Sequence, residues 1–313
     1  MPRSTRIRLL NTIALVSAAM LVWLYPSAGR ASGNVHTLTC GPATTIGHAI
    51  RTLKPGDTLL VRGTCTENLD LGEEVLNITL DGQGTATIVG DPAAHAVAVK
   101  GRGITIRGFT ITGGLQGIAV LDGGSAVIDG NTIQDAAMNG ITVFRDSTAN
   151  IINNTIQHNP SSGIQLQHSS SAQIGFFGPP NNRVSAPNTI QNNGGPGIQV
   201  LRASSAQIFS NVIQNNGSHG VLVDRNAQAE IAACVITGNT GDGVRVVRNG
   251  GVDFGTDATG STPRFDDNVN SGTNGGFGVL CTIDGFVDGR LGTLTGTLGG
   301  KIFTESCVDS VIP

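Results

Sequence analysis

Between Ile128 and Phe254 the apolar residues fall at every second position in three short runs, Gly-Ile-x-Val, Ala-x-Ile and Asn-x-Ile, and the set then repeats. Alternation of this kind is the signature of a strand with one face buried. Gly, Asn, Ser and Pro separate the runs and supply tight turns. The Ala-x-Ile isoleucines are Ile128, Ile151, Ile174, Ile208 and Ile231, with Phe254 closing the series, at spacings of 23, 23, 34, 23 and 23. The repeat glycines Gly117, Gly140, Gly163, Gly197, Gly220 and Gly243 keep the same spacings. A constant period of this size marks stacked repeats, each burying its Ile/Val face only against the next, about 4.8 Å away. Three strands per turn with no helical period predict an all-β, single-stranded parallel β-helix of about 23 residues per rung. Handedness does not follow from spacing.

A column of asparagines supports the same stack. Asn131, Asn154, Asn188 and Asn211 fall at one corner of successive turns, where identical amides bond to each other and to turn backbone. Cys234 takes the column's place in the next rung, which predicts a buried, inert thiol. After residue 254 the pattern loosens: Asn268 lies 14 residues beyond Phe254, as Asn188 lies 14 beyond Ile174.

This rung pattern, with its asparagine ladder between the second and third strands, resembles the right-handed parallel β-helix repeat proteins of the pectate-lyase-like superfamily over roughly residues 55–290. The resemblance implies a right-handed coil. It leaves activity open, because that superfamily includes lyases, hydrolases, epimerases and adhesins. It also implies a binding groove on the outer face of the Gly-Ile-x-Val strands. There the chain places Thr142, Gln165, Gln199, Leu222 and Arg245, then Phe144, Gln167, Leu201, Asp224 and Val247.

The ends divide the chain further. Residues 1–31 read as an export signal: Arg3, Arg6 and Arg8, an apolar Leu9–Leu24, and a small-residue cleavage point at Ala28 or Ala31. A retained anchor is the competing reading. Residues 32–66 form the N-terminal cap, with a helix over Thr44–Leu53 carrying Ile46, Ile50 and Leu53 on one face and His48 at the surface. Thr58–Val61 then reads as the first alternating strand. Residues 67–290 make the solenoid, a single domain, and 291–313 close it. In an exported chain Cys40–Cys65 and Cys281–Cys307 read as disulfides.

Charge narrows the partners. Removing residues 1–31 takes four arginines and no acid, leaving 15 basic against 22 acidic residues, a formal −7. Such a chain is a poor general binder of nucleic acid or anionic membrane. The same cut removes the only Trp and the only Tyr, so an aromatic sugar-binding platform is disfavoured.

Candidate chemistry concentrates at two places. Rungs with an inserted corner loop, 175–187 and 255–267, bracket two short rungs and frame a recess. Five residues after each repeat glycine stand Asp122, Arg145, His168, Arg202, Arg225 and Arg248, a column whose arginines need acids or a bound anion between them. Asp146 and Asp224 are the adjacent acids. The column reads either as a turn-stabilising row or, with Gln165 and Gln199, as a track for an acidic polysaccharide. If the chain is catalytic, Arg245 or a column arginine serves as base or charge neutraliser, His219 as acid/base and Asp224 as the neighbouring carboxylate.

Complete catalytic signatures are missing. Outward acids on the relevant strands are almost confined to Asp224, so a Ca²⁺ site lacks ligands and no cofactor is predicted. Gly217-Ser-His219-Gly220 is similar to the histidine motif of polygalacturonases, but the paired carboxylates of hydrolysis are absent from matching positions, Asp266 and Asp267 lying in a loop. Of the Asp-Pro-His-Asp motif of alginate epimerases only Asp91-Pro92 is present, and the single remaining methionine, Met138, argues against a copper site. Two functions stay open: an exported β-helix that binds or modifies a polysaccharide, an acidic uronate polymer being the form the arginine column suits, and a non-catalytic surface or envelope solenoid with a structural or adhesive role.

Overall fold

The computed structural model describes residues 33–178, 183–255, 270–298, 300 and 302–312. The export signal of the sequence reading, most of the second inserted loop and Asn268 lie outside them. The chain winds as a right-handed parallel β-solenoid of about 11 turns.

Three strands per turn generate three parallel sheets. The first sheet collects Ile118–Val120, Ile141–Phe144, Ile164–Gln167, Ile198–Leu201, Val221–Asp224 and Val244–Val247. The second collects Ser125–Asp129, Thr148–Ile152, Ser171–Ile174, Ser205–Phe209, Gln228–Ala232 and Gly251–Asp253. The third holds Thr132–Gln134, Thr155–Gln157, Thr189–Gln191, Val212–Gln214 and Val235–Thr237. Register follows the repeat: Ile141 faces Ile164, Ile198 faces Val221, and Ile151, Ile174, Ile208 and Ile231 run in line. These residues and their third-sheet counterparts are fully buried. One unit could not bury them alone; stacking does so at every rung.

The asparagine ladder is continuous. Asn188 Nδ2 donates to Ile151 O (2.8 Å) and Asn211 Oδ1 (2.9 Å), while its own Oδ1 accepts from the Asn154 amide and Nδ2. Cys234 fills the next position, its Sγ 3.4 Å from Ile208 O, and burial pushes its thiol pKa up to about 12. Beyond it the ladder resumes at Asn270, whose Oδ1 accepts the Cys234 amide, two residues past the position given by the 14-residue spacing. A second ladder runs at the opposite corner: Asn159, Asn193, Asn216, Asn239 and Asn274, each Nδ2 reaching the next Oδ1 at 2.8–3.0 Å.

The cap differs from the sequence reading in two respects. Val35–Thr39 pairs in parallel with Thr58–Arg62 and is the first strand, ahead of the expected Thr58–Val61. The expected ten-residue helix is a four-residue α-helix, Ile46–Ala49, followed by one 3₁₀ turn, Ile50–Thr52. So short a segment draws its stability from neighbours: Ile46 is buried, Thr45 Oγ1 accepts the His48 amide, and Glu67 accepts the Ile46 and Gly47 amides at 2.7 and 2.9 Å. Cys40 and Cys65 are joined beneath it, with Cα atoms 5.1 Å apart, and Cys281 and Cys307 are joined at the far end, 5.9 Å apart. Among the described residues no helix is long and apolar enough to cross a membrane.

Candidate active site

The turn between first and second sheets takes two consecutive left-handed residues in rung after rung. Arg145 and Asp146 have φ of 51° and 56°, Arg202 and Ala203 53° and 59°, Arg225 and Asn226 58° and 61°. Left-handed backbone costs a non-glycine residue roughly 1 kcal/mol or more. Stacked turn amides offset this, as when Arg202 N donates to Asp224 O and Ala203 N to Arg225 O. The column predicted from spacing is therefore a corner whose side chains are set by turn geometry.

Those side chains are largely engaged with one another. Arg248 Nε donates to Asp224 Oδ1 at 2.7 Å, its Nη2 binds Oδ2, and Arg225 lies 3.8 Å from the same carboxylate. Asp224 is buried beneath them at 3% exposure, and Leu201 and Val247 are buried as well, so these three do not face an open groove as the sequence alternation implied. Arg145 pairs with Asp122 (3.3 Å) rather than Asp146 and stacks on Phe144, 4.7 Å from ring centre to guanidinium carbon. The His168 ring meets the edge of Phe144, and Arg202 Nη1 lies 3.0 Å from its Nε2.

On the outer face of the first sheet, Thr142, Gln165, Gln199, Leu222 and Arg245 lie in one register line. Gln165 Nε2 donates to Gln199 Oε1 (2.7 Å) and Gln167 Nε2 to Gln165 Oε1 (3.0 Å). The residues preceding the repeat glycines join them: Asn139 reaches Gln165, Ser162 reaches Gln199, and Thr142 donates to Gln116. The result is a continuous strip of amides and hydroxyls along the solenoid axis.

The strip leads to a charged cluster. His219 and Asp242 each precede a repeat glycine in adjacent rungs, and Arg245 lies three residues beyond Asp242 on the first-sheet strand. His219 Nδ1 is 3.2 Å from Asp242 Oδ2 and 3.0 Å from the Asp242 amide nitrogen. Arg245 Nη1 lies 3.4 Å from His219 Nε2 and 3.8 Å from Asp242 Oδ2. Asp242 also accepts the Phe277 amide on Oδ1 (2.9 Å) and is 5% exposed. Burial raises the Asp242 pKa, but the His219 hydrogen bond, the Phe277 amide and the nearby charges of His219 and Arg245 together hold it below its ordinary value. Asp242 is thus ionised at neutral pH.

The imidazole sits among three groups: Nδ1 accepts the Asp242 amide N–H and lies beside the Asp242 carboxylate, and Nε2 lies beside the Arg245 guanidinium. A neutral ring satisfies either the amide or the carboxylate at Nδ1, whereas a protonated ring gains the carboxylate's charge. Of the residues picked out in the sequence, the structure brings His219 and Arg245 together, while Asp224 belongs to the arginine corner. Asp242 was missed. Its signal was available: it occupies the same pre-glycine position as His219.

Inserted loop 175–187 packs along its own corner. Phe176–Phe177 and Val184–Ser185 form an antiparallel pair, Phe176 is buried with Phe209 and Ala232, and Arg183 stacks over Phe176 and Phe209. Among the described residues one group of potential metal-ligand atoms converges, Cys40, Cys65 and Glu67, and its two sulfurs are spent in a disulfide.

A coiled stack of three parallel sheets with a polar strip and a His/Asp/Arg cluster on one face defines a class. Residues 95–262, more than half of the chain, match the family described as the right handed beta helix region, and the chain belongs to that family. Solved structures with the same coil include pectate lyase Pel9A (TM-score 0.53, 13% identity, 89% of this chain and 80% of that one). Another is an alginate lyase from Paenibacillus sp. str. FPU-7 (0.55, 17%, 88% and 99%). A third is the enzymatically active domain of tailspike protein 2 of bacteriophage CBA120 (0.54, 10%, 89% and 47%). At these identities the likeness is one of fold. No curated protein matches the sequence.

Proposed function

We propose that this chain is an exported β-helix protein that binds an acidic polysaccharide along the outer face of the first sheet and acts on its uronate units at His219. The observation that carries this reading is the His219–Asp242–Arg245 cluster at the end of the amide strip. Sugar hydroxyls both donate and accept, as do Gln165, Gln199 and Ser162. Arg245, 40% exposed at its side chain, offers a guanidinium to a uronate carboxylate.

Carboxylate neutralisation by Arg245 acidifies the adjacent C5–H. His219 Nε2 takes that proton, Asp242 stabilising the imidazolium that forms. The freed electron pair closes a C4–C5 double bond as the C4–O glycosidic bond breaks, and the imidazolium proton goes to the departing oxygen. If the C4–O bond is kept, a solvent proton delivered to the opposite face of C5, with the imidazolium releasing its own proton to solvent, gives epimerisation instead. Pectate and alginate, the polymers named in two of the compared lyases, are both polyuronates.

The test is to incubate the protein with polygalacturonate and alginate while following unsaturated-uronate absorbance and the C5 configuration. Product formation that His219→Ala abolishes supports the reading; silence on every polyuronate removes it. A non-catalytic adhesive solenoid is the second reading, favoured by the internal neutralisation of the arginine corner through Asp122 and Asp224. Binding without product would assign it.

A further inference from the structure

One corner beyond the proposed site, a groove of about 790 Å³ lies over the outer face of the second sheet, from Gly103 and Ser125 to Asp253 and Phe286. Its volume is in the range of sites that hold a small ligand or part of a polymer. Register sets its lining. One hydroxyl per rung comes from Ser125, Thr148, Ser171 and Ser205, which are Cα partners along the sheet. Two residues on, the outward position carries Asn150, Gln173 and Gln207, then Glu230 and Asp253. Residues two apart on a strand share a face, so a hydroxyl and an amide stand side by side in the rungs of Thr148, Ser171 and Ser205, about 4.8 Å per rung, with Val127 beside Ser125 at one end and Gln228 beside Glu230 at the other. Phe286, 41% exposed, flanks the far end.

Several properties restrict the occupant. No Lys or Arg is among the described residues lining the groove, and its far end carries two carboxylates, which repel a polyanion. Hydroxyls and amides donate and accept in equal measure, which suits a ligand covered in hydroxyls. An extended peptide would pair through its backbone at a strand edge, and here the ligand meets a sheet face whose strands are already paired on both sides. We propose that this groove binds a neutral glycan lying along the solenoid axis, so that the protein holds an anionic polymer on one face and an uncharged one on the next.

The experiment is calorimetric titration of the full chain with hexasaccharides of cellulose, xylan and mannan, repeated on Ser205→Trp, which fills the groove, and on the milder Gln207→Ala. Circular dichroism verifies that both variants keep the fold. The expected result is that at least one neutral hexasaccharide binds, that Ser205→Trp abolishes binding, and that Gln207→Ala weakens it roughly tenfold. Failure of all three to bind, unchanged affinity in either variant, or binding of an extended peptide in place of the glycan would each overturn the proposal. Polyuronate binding, read separately with Arg245→Ala, stands or falls independently.

Discussion

Asp242 stands one rung beyond His219 at the same corner and holds Oδ2 3.2 Å from its Nδ1. Parallel stacking makes this contact: the two residues occupy one repeat position, so the 4.8 Å rise between rungs sets neighbouring side chains within reach. Removing the carboxylate takes away the negative charge beside His219 and leaves the Asp242 amide on Nδ1. Asp242→Asn is expected to keep the Phe277 amide bond through its remaining oxygen while lowering any turnover of a polyuronate about 10²-fold or more, with substrate affinity little changed. Steady-state kinetics on the variant check this, and a change confined to KM would contradict it.

Acid stability depends on the same group. The folded-state pKa of Asp242 is depressed, so its contribution is present at neutral pH and is lost as pH falls through the ordinary carboxylate range toward the folded value. Thermal unfolding of the wild type should therefore lose more between about pH 5 and pH 2 than that of Asp242→Asn. Parallel acid profiles of the two proteins would refute this assignment.

Asn188 closes five hydrogen bonds inside the first ladder. Asn188→Ala strands the Asn154 amide away from water, while Ile151 O keeps the Gly175 amide, a loss of roughly 2 kcal/mol. Cys234→Asn places an amide where a weakly bonding sulfur now sits, and urea midpoints should show it no less stable than the wild type. Cys234 itself, fully buried with its pKa near 12, should resist a thiol reagent until the protein unfolds.

The Arg248–Asp224 pair is half exposed on its basic side and buried on its acidic side. Asp224→Ala should cost about 2 kcal/mol, more than Arg248→Ala, because two guanidinium groups lose their shared partner. A double-mutant cycle measures the coupling, and a value near zero would show that the corner is held by turn backbone alone.

The solenoid was legible in the sequence because identical side chains must recur where strands stack, and Ile128 through Ile231 do so every 23 residues apart from one interval of 34 that carries an inserted loop. The second ladder was equally present: Asn159, Asn193, Asn216 and Asn239 each lie five residues after a first-ladder position, and Asn274 four after Asn270. It was passed over because those asparagines sit among turn residues that need no further explanation. Alternation alone misplaced Leu201, Asp224 and Val247, which are buried where Phe144 and Gln167 at the same position are half-buried, and Asp224 is covered by Arg225 and Arg248. Asn270 escaped because a loop of changed length breaks the count. The His219–Asp242 contact depends on which way a corner side chain points, and one-dimensional spacing does not encode that.

The most direct test of the account is turnover of polygalacturonate and alginate by wild type, His219→Ala and Arg245→Ala under one set of conditions, read by unsaturated-uronate absorbance and C5 configuration. The account predicts product from the wild type on at least one polymer, loss of about 10²-fold or more in His219→Ala, and loss in Arg245→Ala that includes weaker binding. Equal activity in all three proteins, or none in the wild type, would contradict it.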